Sequence, residues 1–243
     1  MTTNMTRATT IARRELTSYF YSPIAYVAMA VFLIACSFTF WDDFQPGEIA
    51  GMRNLFNWMV WLLVSIVPLL SMGLLAQEWS TGTIEALMTA PVAESDVVLG
   101  KFLGSFAFFL VMLAPTLLYA AVLALYANPR IDFGPIRSGY LGILLVGALF
   151  ISIGLFCSSL TRSQIVAAVA TAAVLFAITI VPWWASGKLL SPTWTTILDQ
   201  TVFKRYTDFS RGIIDTGHLA FFIFSTAVFL FFTTKVLESR RWK

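Results

Sequence analysis

One polar stretch interrupts an apolar chain: Gln77–Lys101, reading QEWSTGTIEALMTAPVAESDVVLGK. It holds four carboxylates, Glu78, Glu85, Glu94 and Asp96, and no base before Lys101. Ser80 or Thr81 can cap a helix here, and Ile84, Leu87 and Met88 recur at helical spacing. Pro91 then stops or kinks it. A short helix with one acidic and one apolar face suits docking into a groove on a soluble partner. Lying flat on a membrane suits it less, because anionic headgroups repel four acids.

Other chemistries fail on residue type or spacing. A phosphate-binding loop needs Gly-x4-Gly-Lys-Ser/Thr. Gly100-Lys101 is followed by Phe102 and has Ser95, not glycine, five residues before Gly100. His218 is the single histidine, so a histidine-rich metal site is excluded by count, and an interfacial side chain is the reading for it. Asp42, Asp43 and Glu48 read as solvated loop charge, and Cys36 and Cys157 as small buried residues. No nucleic-acid surface is expected, since no basic patch combines with exposed aromatics.

These residues must be carried by spans. Of 243 residues, 58% are apolar and 12% charged, about half the roughly 25% charge of soluble domains. That composition points to a polytopic membrane protein, and no cleavable signal peptide is visible. Charge-free windows of about 20 residues mark the spans. The expected boundaries are 23–41, 55–77, 98–126, 138–160, 164–185 and 217–237, with a coupling region at 78–97. Residues 138–186 would run about 73 Å as one helix, more than twice the hydrocarbon thickness. The chain must therefore turn near Arg162, within Ser158–Gln164. The spans lack internal charge, which argues against ion-driven transport, and no histidine cluster or paired intramembrane carboxylates support a membrane enzyme.

Six spans place both termini on one side. That side carries nine basic and six acidic residues, and the other side seven of each. The positive-inside rule makes it cytoplasmic. Thr6–Tyr19 forms an interfacial helix, with Ile11, Leu16 and Tyr19 against lipid and Arg7, Arg13 and Arg14 towards water. Residues 187–215 suggest one or two amphipathic helices dipping into the outer leaflet. Gly100-x3-Gly104, Gly142, Gly147 and Gly154 permit close helix contacts, either within the chain or between subunits.

Three motifs resemble the permease subunit of ABC-2 type transporters. The first is Gln77-Glu78, Gly82-Thr83-Ile84-Glu85, Leu87, Thr89, Pro91 and Val98-Leu99-Gly100-Lys101. The second is Ser158–Gln164 with Ala167. The third is Phe209-x2-Gly212-Ile213-Ile214-Asp215 followed by an aromatic span and Arg240-Arg241-Trp242, which looks most like the branch of gliding-motility-type and nitrous-oxide-reductase-maturation permeases. The resemblance covers nearly the whole chain. One departure is Trp79-Ser80-Thr81, where family members often carry a base after the glutamate.

The resemblance implies an all-α integral membrane fold with six transmembrane helices, an N-terminal interfacial helix, a coupling helix between spans two and three, and short extracytoplasmic helices between spans five and six. It implies an exporter subunit of the bacterial inner membrane, working as a homodimer or with a related paralogue. ATP and Mg would sit on a separate ATPase, with no cofactor in this chain. Glu78, Gly82, Thr83, Glu85, Leu87 and Pro91 would form the coupling element. Arg13, Arg14, Glu15 and Arg162 would supply a second contact, the first three alternatively a lipid anchor. The alternative from another class is a non-transporting scaffold whose acidic helix 78–97 recruits a soluble protein.

Overall fold

The computed structural model describes residues 2–43, 51–83, 93–126, 132–186 and 201–241. Among them there is no strand. The helices are α1 (Thr2–Tyr21), α2 (Pro23–Asp43), α3 (Arg53–Ser71), α4 (Ala76–Thr81), α5 (Glu94–Leu113), α6 (Leu117–Tyr126), α7 (Phe133–Leu160), α8 (Gln164–Ser186), α9 (Val202–Ser210) and α10 (Thr216–Arg241). Five stretches are long and apolar enough to cross a membrane: Pro23–Asp42, Arg53–Thr81, Glu94–Tyr126, Phe133–Leu160 and Thr216–Arg240. Gln164–Ile180, within α8, is a further apolar helical stretch. Helices answer the demand of lipid, where every backbone polar group needs a partner inside the protein.

The core lies between α3 and α7, the two most buried apolar helices, while α2 and α10 expose most of theirs. Glycine sets the spacing. A Cβ at Gly154 of α7 would collide with the Ser71 side chain of α3, and one at Gly147 with the Phe109 ring of α5. The small residues read from sequence as helix contacts are thus filled from within the same chain.

Breaks in the helices have local causes. Pro115 cannot donate a backbone hydrogen bond, and Ala114–Thr116 tightens to a 3₁₀ turn between α5 and α6. Tyr140 of α7 donates its hydroxyl to the Thr116 carbonyl at 2.8 Å, which ties α7 to this turn. Ser158 and Ser159, placed in a turn on sequence grounds, lie inside α7 and are fully buried. The turn is only Thr161–Ser163, closed by the Ser163 N–H donating to Thr161 Oγ1 at 3.1 Å. Ser158 is retained in the helix because it has work across the bundle. Its Oγ accepts from the N–H groups of Leu75 and Ala76 at 3.1 and 3.0 Å and donates to the Met72 carbonyl. Thus α7 caps α4, whose own N-terminus lacks a side-chain cap.

Helix α9 also departs from expectation. Its apolar residues Val202, Tyr206 and Phe209 are buried against protein, with Phe209 and Tyr206 over Gly142 of α7. These three side chains meet protein rather than lipid, since a glycine-lined helix face accepts the same side chains as lipid. The expected contributions of Trp194, Ile197 and Leu198 lie outside the described residues.

Candidate functional site

The charged stretch begins where α3 ends. Chain direction breaks at residues 72–75, and α4 carries Glu78 and Trp79 back against the bundle. Gly82 ends α4 in the left-handed region at φ 73°, which a glycine reaches without the Cβ penalty. Ser80 and Thr81 lie in the last turn of α4. Their hydroxyls donate to the Gln77 carbonyl, and Thr81 Oγ1 lies 2.9 Å from Thr83 Oγ1. Residues 84–92, which include Glu85, Leu87 and Pro91, lie outside the described residues. The chain is described again from Ala93, and Glu94 and Asp96 open α5 rather than close a separate coupling helix. Carboxylates in a helix's first turn face its positive end.

Helix α1 defines the second wall. A Cβ on Gly100 would stand 2.7 Å from Ile11 Cβ and 2.9 Å from the Ala8 carbonyl. One on Gly104 would stand 2.6 Å from Glu15 Cβ and 2.8 Å from the Ala12 carbonyl. Gly100-x3-Gly104 is therefore the track on which α1 lies. This corrects the interfacial reading: the helix forms, but Ile11, Leu16 and Tyr19 face protein, not lipid. Tyr19 stacks on Phe108 at 4.8 Å and donates to the Leu70 carbonyl at 2.7 Å. Burial raises its pKa well above the ordinary phenol value, so it remains a donor.

Lys101 sits where α1, α4 and α5 meet. Its side chain is 2% exposed, and its ammonium donates to Glu15 Oε1 at 2.6 Å and Glu78 Oε1 at 2.8 Å. Glu78 Oε2 and Trp79 Nε1 are buried without a partner among the described residues. A buried cation costs several kcal/mol unless paired. The two carboxylates, 86 and 23 residues away in sequence, meet that need and tie three elements at one atom.

Arg240 makes a further tie. Its guanidinium lies over the Trp79 ring at 4.8 Å and donates to the Leu160 carbonyl at 2.7 Å, closing the end of α7. A base therefore does stand beside Trp79, supplied by α10 rather than by the next residue. Of the other residues singled out from sequence, Gly82, Thr83, Arg13, Arg14 and Arg162 are exposed. Arg13, Arg14 and Arg162 make no ion pair among the described residues. Glu15 and Glu78 are turned inward onto Lys101.

Sequence reasoning missed Lys101 as the hub and Arg240 as a clamp. A signal for the first existed: a lysine in the opening turns of an apolar helix needs a carboxylate, and only a few were within reach. At the far end of α7, the His218 ring lies beside Phe209, and its Nδ1 is 3.7 Å from Asp208, beyond hydrogen-bond distance.

Comparison with curated proteins finds no match to this chain. Residues 11–207 match the family described as ABC-2 family transporter protein. That region runs from the contact of α1 with α5 through the charged junction and into α9. The chain belongs to the ABC-2 transporter family, as a multi-pass membrane permease subunit of an ABC transporter.

Proposed function

We propose that this permease couples ATP hydrolysis on a separate ATPase subunit to export of a substrate. One observation carries the reading: Lys101 joins α1, α4 and α5 at the two points where the charged stretch leaves and re-enters the bundle. A force applied at residues 84–92 would reach spans two and three through that joint. The ATPase docks on this stretch, with Gly82, Thr83, Glu85, Leu87 and Pro91 in contact and Arg13, Arg14 and Arg162 as a second point. Glu78 and Glu15 act one step behind the contact, through Lys101.

In this reading α8 is the fifth span and α10 the sixth, so the chain crosses six times with both termini in the cytoplasm. Terminal arginines and lysines support that orientation. The membrane is the bacterial inner membrane, and two permease chains form the path, identical or paralogous. ATP and Mg belong to the ATPase. The ending Phe209-x2-Gly212-Ile213-Ile214-Asp215 and Arg240-Arg241-Trp242 supports the gliding-motility and nitrous-oxide-reductase-maturation branch.

The test is co-purification with the ATPase encoded beside it. A stable complex in mild detergent is expected, with ATPase stimulation that Glu85→Arg abolishes. An ATPase that neither binds nor responds to Glu85→Arg sinks the proposal and leaves the scaffold reading.

A further inference from the structure

Between the end of α1 and the end of α3 lies an open cleft of about 90 Å³, well beyond what one water requires. Glu15, Ser18, Ser22 and Gln77 give it polar groups, and Leu70 and Leu74 give it an apolar wall. We propose that this cleft seats the primary ammonium of an aminophospholipid headgroup.

Charge balance asks for a cation. The cluster holds one ammonium, that of the buried Lys101, against two part-buried carboxylates, Glu15 and Glu78. Its formal charge is negative, and a buried uncompensated charge is costly. Glu15 is the member of the cluster that also lines the cleft, so a second cation placed there faces a carboxylate directly.

Donor geometry selects the kind of cation. A primary ammonium has three N–H donors and no acceptor. The cleft offers a carboxylate, two hydroxyls and an amide. Ser18 and Ser22 spend their hydroxyls on no hydrogen bond among the described residues, unlike Thr17, which donates to the Arg13 carbonyl. Gln77 carries its amide oxygen over Gly73, where a Cβ would stand 3.1 Å from Oε1. A trimethylammonium has no N–H to give and is held instead by aromatic faces. Tyr19 is the cleft's one aromatic, and its ring is already stacked on Phe108.

Position selects a lipid as the source. Ser22 immediately precedes Pro23, where the first apolar helix begins, and Gln77 follows the end of α3. The neighbouring side chains Tyr21, Ile24 and Leu69 are exposed and apolar. Acyl chains can run along them while the headgroup enters the cleft.

The probe set is phosphatidylethanolamine, phosphatidylcholine, phosphatidylglycerol and free ethanolamine, added to the purified full chain and read by native mass spectrometry. Phosphatidylethanolamine should be retained about tenfold over the other two lipids, the worth of one charge-assisted hydrogen bond. Free ethanolamine should not compete at equal concentration. Ser22→Leu, which fills the cleft and leaves the Lys101 pairs in place, should erase the preference. Ser18→Leu serves the same end should Ser22→Leu not fold. Equal retention of phosphatidylcholine overturns the proposal, as does a preference surviving both leucines. Competition by ethanolamine overturns the lipid source. None of these readings needs an ATPase, so they stand or fall apart from the coupling proposal.

Discussion

Two amphipathic helices, α1 and α9, dock on glycine-bearing faces of the bundle, and the two seats differ at their centres. Helix α1 lies on Gly100 and Gly104 of α5 and is pinned by charge, through Glu15 to Lys101 and on to Glu78. Helix α9 lies on Gly142 of α7 and is pinned by burial of Val202, Tyr206 and Phe209. Charge pairs are directional and exchange partners at defined positions, whereas aromatic burial is tolerant of direction. The α1 junction thus suits a joint whose parts must move as one, and the α9 junction suits a seat that can adjust. Two tyrosines repeat the contrast: Tyr19 spends its hydroxyl on Leu70 and Ser105, and Tyr206 has no partner among the described residues for its own.

The largest break should come from Lys101→Met. It leaves the part-buried Glu15 and Glu78 facing each other with no cation; removing one partner of a fully buried pair costs about 3–5 kcal/mol, and partial exposure places this loss towards the lower end. A thermal unfolding series in detergent measures this. Adding Glu15→Gln and Glu78→Gln should restore most of the loss, since the uncompensated charges are then gone. If the triple variant is no better than Lys101→Met, charge is not what holds α1. Next in size is Gly104→Ala. The added methyl meets the Ala12 carbonyl and Glu15 Cβ, backbone and near-backbone atoms that cannot rotate away. Overpacking of this kind costs about 1–3 kcal/mol. Gly142→Ala meets Phe209 Cβ at 2.8 Å and should cost less, because a short helix held by rings can shift along the groove. Equal costs would erase the distinction between joint and seat.

The helices were legible because a charge inside lipid is expensive, so charge-free windows marked the apolar helices. Gly100-x3-Gly104 was legible as a contact, but α1, its occupant, was not, since Ile11, Leu16 and Tyr19 satisfy lipid and protein alike. Lys101 was visible only as the base ending an acidic run. Its partner Glu15 lies 86 residues away, beyond any spacing rule, and read as part of a second cytoplasmic contact or a lipid anchor. Ser158 was misplaced in a turn for a similar reason: its cap on α4 is a contact in space between segments 83 residues apart. Local chemistry could be read from the chain; pairing across the bundle could not.

The smallest effects give the sharpest version of the comparison, because the same substitution should have opposite signs. Tyr19→Phe removes a donor from the Leu70 carbonyl and should lower stability by about 1–1.5 kcal/mol, the worth of an ordinary buried hydrogen bond. Tyr206→Phe removes a fully buried hydroxyl with no partner among the described residues. That hydroxyl carries a desolvation cost with no bond to offset it. Its removal should leave stability unchanged or raise it by about 1 kcal/mol, with the ring still filling the space over Gly142. Paired unfolding curves of the two variants in one detergent decide this. Should Tyr206→Phe destabilise as much as Tyr19→Phe, the Tyr206 hydroxyl has a partner in the folded protein, and α9 is a polar junction like α1.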